Sequence, residues 1–409
     1  MNSSLRKWLL TAFFSLLVVA ILGVLLRYKI AFPMPFVNQR YLLQAHSHFA
    51  FAGWVTQILM TLMLAYLSEK TGEGVFRKYR WLLYANLFTA YGMLLSFPFQ
   101  GYGTISIIFS TLSIFVSYAF AIVYWKDLNR LKLNSVSHKW FKSALLFNAI
   151  SSLGPFTLAY MLASRHVHTH LYLTSVYFFL HFQYNGWFFF ACMGLLAWQL
   201  SKFGIAQHKL RTIYLLFVYA VIPAYFLSAL WLPIPKWIYA LVILAVLVQD
   251  AGWLLLIGII RPSLPAIKKN MATLPRWIFF LSFVALSLKL ALQTISVIPS
   301  LSKLTYGFRP IVIGYLHLIF LGVISLFIFA YIIHLKLVLF NKIAIRGLVI
   351  FIIGIFANEL LLMIQGIADL SNEGVPFINP MLLGAALLLF TGIFVINYSI
   401  NSRSPTHTS

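Results

Sequence analysis

The chain alternates long apolar stretches with short polar connections. A helix needs about 20 mainly apolar residues to cross a bilayer. Twelve stretches meet that length, roughly 8–26, 41–67, 81–99, 104–125, 142–163, 171–200, 210–231, 235–260, 275–298, 309–333, 343–368 and 380–399. The pattern shows no low-complexity tract and no soluble segment between them. It predicts an all-α, polytopic membrane protein with 12 transmembrane helices in a single domain, 1–409.

Within the apolar stretches one pattern recurs. His48 is followed by an aromatic residue three positions on, Phe51, and a glycine five on, Gly53. His181 has Tyr184 and Gly186 at the same offsets, and His317 has Phe320 and Gly322. Trp54 and Trp187 extend the match in the first two copies. The three histidines are nearly evenly spaced, which predicts a four-helix arc used three times. The pseudo-repeats run roughly 8–125, 142–260 and 275–399.

Composition agrees with a lipid-embedded chain. Hydrophobic residues make up 62% of the 409 and charged residues 9%, against about a quarter charged in soluble domains; the mean hydropathy is +0.91. The net charge of +23 does not indicate a nucleic-acid partner, because the basic residues are spread over short loops and form no single patch. Most Lys and Arg flank the even-numbered spans on one side together with both termini. That asymmetry predicts cytoplasmic termini; the expected location is a bacterial inner membrane. One cysteine, Cys192, excludes an intrachain disulfide and a cysteine-ligated cluster.

Depth and chemistry then converge. Counting about 1.5 Å per residue from the outer end of spans 2, 6 and 10 puts His46, His48, His181 and His317 about 8–15 Å below the outer surface. A polar side chain without a partner in hydrocarbon is costly. Imidazole is also a common ligand for haem iron and copper. Histidines at one depth on three helices therefore need a metal or one another. His46 and His48 differ by two positions, about 200° around a helix, so they point to opposite faces and serve different neighbours. The glycines would let a flat macrocycle or a neighbouring helix come close.

With twelve spans, cytoplasmic termini and histidines in the outer halves of spans 2, 6 and 10, the chain resembles subunit I of the haem–copper oxidase superfamily. It is also similar to the NnrS-type membrane proteins. The resemblance covers the whole chain in topology and about ten residues around each histidine in motif; Gln44-Ala45-His46 carries it best. It implies an integral membrane haem-binding protein acting in electron transport or in nitric-oxide or oxygen-related redox chemistry, a haem-dependent oxidoreductase with a redox partner protein. It implies that His46 or His48, with His317, holds haem. It also implies that the remaining second-span histidine faces a compartment with His181, where copper would bind. Arg40 and Arg309 would meet haem propionates. The sequence departs from that family in span 7, which has no histidine, and in span 10, which has one where the oxidases carry two.

Other polar residues leave further readings open. Lys289 in span 9 and Glu359 in span 11 are expected near mid-membrane, as a buried pair or a proton path. His166, His168 and His170 alternate in an outer loop and could gather copper or zinc. A membrane transporter using the intramembrane Lys, Glu and His residues is the competing function. A haemless assembly partner is the third.

Overall fold

A computed structural model describes residues 3–72, 74–166, 168–301 and 309–401. Its described residues are mainly helical, with no strand among them. Eleven helices are long and apolar enough to cross a membrane. In chain order, with the further rod 169–202 included as α6, they are α1 (Ser3–Ala31), α2 (Gln39–Thr71), α3 (Gly74–Gln100), α4 (Thr104–Arg130), α5 (Val136–Ser164), α6, α7 (Gln207–Ala229), α8 (Lys236–Asn270), α9 (Thr273–Ile295), α10 (Arg309–His334), α11 (Lys342–Leu370) and α12 (Ile378–Ile400). The rod α6 is long enough but less apolar, because His181, Gln183, Asn185 and Gln199 interrupt it. Its polar side chains point to protein partners described below, so the helix is polar for an internal reason.

The outer faces carry what only lipid tolerates. On α4, Ile105, Ile108, Leu112, Phe115 and Ile122 are exposed, and only 11% of its most apolar window is buried. Exposed apolar residues in rows of this kind exceed what a water-facing surface carries. These are the helices of an integral membrane protein in contact with a lipid bilayer.

The chain divides into two compact units, Met1–Phe120 with Ile332–Ser409, and Ala121–Tyr331. In the first, α11 and α12 cross at glycines. A Cβ at Gly392 would lie 2.5 Å from the Phe351 amide nitrogen and 2.7 Å from the Gly347 carbonyl oxygen. One at Gly354 would lie 2.8 Å from the Leu389 nitrogen. Small residues let backbones approach where no hydrophobic drive exists between helices. Polar side chains join α1 to α12: Asn397 Nδ2 donates to the Phe13 carbonyl at 3.1 Å, and Arg6 Nη2 to the Ile400 carbonyl at 3.0 Å. Asn38 starts α2, its side chain accepting from the amides of Arg40 and Tyr41; such a cap satisfies amides that have no partner within the helix.

In the second unit, α5, α6 and α7 share an aromatic core. Trp140 packs on Phe190 at 4.8 Å between centroids and on Tyr214 at 5.2 Å. Gly194 faces Phe141, whose ring would be 2.5 Å from an added Cβ. The pair α8 and α9 is tied by polar contacts, with Trp253 Nε1 donating to Ser287 Oγ at 2.9 Å.

Candidate functional site

Each of the three recurring histidines stands just before a π-helical turn. The turns span Ala50–Thr56 in α2, Phe182–Phe188 in α6 and Leu318–Ser325 in α10. They begin two residues after His48 and one after His181 and His317. The aromatic and glycine of each repeat fall inside its turn. A π turn is rare, strains the helical ladder and recurs at functional positions. Three such turns, each starting one or two residues after its histidine, make the sequence pattern a structural one.

A π turn disturbs the carbonyl pairing of the helix, and hydrocarbon offers no water to restore it. Neighbouring helices do so. In α2, Asn86 of α3 donates to the Ala52 carbonyl at 3.0 Å and to Gln57 Oε1 at 2.9 Å. In α10, Ser282 of α9 donates to the Val323 carbonyl at 2.8 Å. In α6 the turn carries its own amide: Gln183 Nε2 donates to Asn148 Oδ1 at 2.9 Å and Ser151 Oγ at 2.8 Å, both on α5. The glycines serve close packing. An added Cβ would lie 2.6 Å from Phe147 Cβ at Gly186 and 3.1 Å from Ala285 Cβ at Gly322. At Gly53 it would meet the Phe49 ring of its own helix at 2.6 Å. Of the two expected uses of these glycines, helix approach is the one described at Gly186 and Gly322.

The histidines themselves differ. His46 and His48 do face apart. His46 Cε1 would be 3.5 Å from a Cβ at Gly23 of α1. His48 turns toward the end of α3, stacked on Phe97 at 4.5 Å and 15°, with Nε2 3.0 Å from the Tyr102 hydroxyl. Gly101 makes that contact possible. Its φ of +57° ends α3, and a Cβ there would be 2.4 Å from the Tyr41 ring; only glycine takes such a position without cost. His181 is buried with both nitrogens engaged. Nε2 lies 2.8 Å from the Val221 carbonyl, which only accepts, so Nε2 carries the proton. Nδ1 then accepts from Asn185 Nδ2 at 3.1 Å. His317 donates Nδ1–H to the Ile313 carbonyl at 2.8 Å. The neutral ring then bears its lone pair on Nε2, the tautomer a metal-ligating histidine adopts when a carbonyl orients it. His46 and His48 belong to the first unit, His181 and His317 to the second.

Haem and copper can be tested against these donors. His317 has the tautomer and backbone support of an axial ligand. At His181 a metal would first have to displace the Asn185 amide. Among the described residues no three His, Cys, Asp or Glu side chains gather as a group that could hold a metal ion. The outer-loop histidines do not converge either: His166 Nδ1 is 2.7 Å from the Ser164 carbonyl, and His170 stacks on Trp231 at 5.4 Å. Arg40 and Arg309 stand exposed in the first turns of α2 and α10.

Lys289 and Glu359, expected as a pair or a proton path, have other hydrogen-bond partners. Lys289 Nζ donates to Gln293 Oε1 at 2.6 Å, and Gln293 Nε2 donates to Gln249 Oε1 at 2.7 Å. Thr294 donates to Asp250 at 2.7 Å. Glu359 Oε1 accepts from its neighbour Asn358 at 3.1 Å. The Gln249-Asp250 and Gln293-Thr294 couple was not anticipated. Two adjacent polar residues in each of two consecutive spans was the signal that could have revealed it.

No family model matches the chain, and no curated protein sequence matches it.

Proposed function

We propose that this chain is an integral membrane haem-binding protein with twelve spans in three four-helix arcs. It sits in a bacterial inner membrane with both termini cytoplasmic, and it exchanges electrons with a redox partner protein. The observation that carries the reading is His317: Nδ1–H is held by the Ile313 carbonyl, at the edge of a π turn shared with the other two histidine helices. His317 is the proposed iron ligand in the second unit, and His46 or His48 the candidate ligand in the first. His48 is the alternative to His46, at the cost of its Tyr102 contact. Arg40 and Arg309 are the proposed propionate partners, since an arginine fork suits a carboxylate. His181 holds α6 to α7 through the Val221 carbonyl. Haem, when bound, would supply the electron-transfer or nitric-oxide and oxygen chemistry.

Purified protein is expected to show a Soret band that shifts on dithionite reduction, and His317→Ala is expected to lose it. Fully folded protein without haem would overturn the reading.

Lys289 favours a second function. It is 6% exposed, lines a cavity and fits a transporter in which intramembrane charge meets substrate. Substrate flux in proteoliposomes of haem-free protein would decide for it. An assembly role without haem is left if neither signal is found.

A further inference from the structure

The basic residues are spread over several connections, and at the one between α4 and α5 an ammonium is fixed in place. Residues 121–146 carry Lys126, Arg130, Lys132, Lys139 and Lys142 against a single acid, Asp127. Asp127 pairs with Arg130 at 3.3 Å. The last turns of α4 meet the first turns of α5 within the second unit. Tyr124 packs edge-on against Phe141 at 6.2 Å between centroids. Lys142 Nζ lies 5.4 Å from the centroid of the Trp125 ring and donates to Asn129 Oδ1 at 2.6 Å.

A lysine near the end of a span ordinarily snorkels, its flexible stem carrying the charge to water. Lys142 is instead held half-buried between an indole face and an amide oxygen. An ammonium has three N–H donors, and Asn129 takes one. The side chains around it are graded in the same sense along both helices. On α4, exposed Ile122 and Trp125 are followed toward the helix end by exposed Lys126 and Arg130. On α5, Lys139 and Lys142 are followed, away from that end, by exposed Leu146. Ile122 and Lys126 are i and i+4, as are Lys142 and Leu146, so each cation shares a helix face with exposed hydrocarbon.

We propose that this end of the α4–α5 pair binds an anionic phospholipid. The headgroup phosphate meets Lys142, with Lys126 and Arg130 beside it, and the acyl chains run over Ile122 and Leu146. Basic clusters between or beside spans attract anionic headgroups, and here one cation is already oriented by Trp125 and Asn129. A phosphatidylcholine offers the same phosphate and chains but adds a choline cation, which the cluster repels. A soluble phosphate ester lacks the chains. The site lies apart from the histidines and stands whether or not iron is bound.

Full-length protein, delipidated in a neutral detergent, is mixed with equal amounts of phosphatidylglycerol and phosphatidylcholine of the same chains. The first lipid retained is identified by native mass spectrometry. Phosphatidylglycerol should be favoured by about fivefold or more, since each nearby cation attracts an anionic headgroup. Arg130→Gln combined with Lys142→Gln should remove most of that preference. Arg130→Gln alone, at a side chain 75% exposed where folding is not at stake, should lower it measurably. Lys268→Gln with Lys269→Gln, which takes the same charge from exposed positions at the end of α8, should leave it unchanged. Glycerol 3-phosphate in large excess should leave the lipid bound. Equal retention of the two lipids overturns the proposal on wild-type protein alone. An undiminished preference in Arg130→Gln overturns it too, as does an equal loss in the α8 variant, which would reduce the effect to net charge. Displacement by glycerol 3-phosphate would assign the cluster to a soluble phosphate and overturn the lipid assignment.

Discussion

Asn185 donates its side-chain amide to Nδ1 of His181, four positions earlier on the same rod, at 3.1 Å. With the Val221 carbonyl accepting from Nε2–H, the imidazole is a two-way connector inside the helix bundle. Replacing Asn185 by Leu leaves a buried nitrogen without its donor. The expected loss is about 1–3 kcal/mol, read as a lower thermal midpoint of the detergent-solubilised protein. An unchanged midpoint would show that the ring is satisfied some other way.

The contrast between His181 and His317 separates their roles. His317→Gln should abolish haem binding, while His181→Gln should retain the Soret band and lower stability. The opposite outcome, spectral loss only in the His181 variant, would reverse the assignment.

Asn86 is placed to steady the first π turn through Ala52 and Gln57. Asn86→Leu removes both bonds, at an expected cost of about 1–3 kcal/mol. Amide hydrogen exchange should quicken first in residues 50–57, ahead of the rest of α2. Uniform exchange along the helix would deny the turn any dependence on Asn86.

Glycines of different setting should diverge. Gly186→Ala forces a Cβ to within 2.6 Å of Phe147 Cβ, an overpacking worth about 1–3 kcal/mol. Gly258 in α8 has nothing within 4 Å of an added Cβ, so Gly258→Ala should be neutral or gain up to about 1 kcal/mol from helix propensity. Equal thermal midpoints for the two variants would contradict the packing described for α5 against α6.

Gly101→Ala tests the turn beneath His48. The positive φ and the Tyr41 ring both oppose a side chain there, and an L-residue pays about 1–2 kcal/mol for that backbone alone. Tyr102→Phe, which keeps the ring and drops the hydroxyl, should cost no more than about 1.5 kcal/mol. A larger loss in Tyr102→Phe than in Gly101→Ala would mean that the hydroxyl matters more than the turn.

The sequence carried the apolar spans, the three-copy pattern and the opposed faces of His46 and His48, because length and angular spacing are one-dimensional properties. The π turns were written in the same spacing but could not be read as such, since a 3.6-residue period has no mark for an inserted residue. Partners were the least legible. The charges of Lys289 and Glu359 name them as a pair or a proton path, but no spacing rule points to Gln293, one turn away on the same helix, as the hydrogen-bond partner of Lys289. Gln183 and Asn185 made α6 look less apolar, yet their amides are spent on α5 and on His181. Depth and charge limit which residues could meet; the rotation of each rod decides which do.

The crossing of α11 and α12 at Gly347, Gly354 and Gly392 has a mechanical consequence. Backbone comes close to backbone there, with only Val395 and Leu389 side chains beside the contact. The two rods must travel as one stave, so any rearrangement within their unit has to bend or shift around that stave and cannot pass through it.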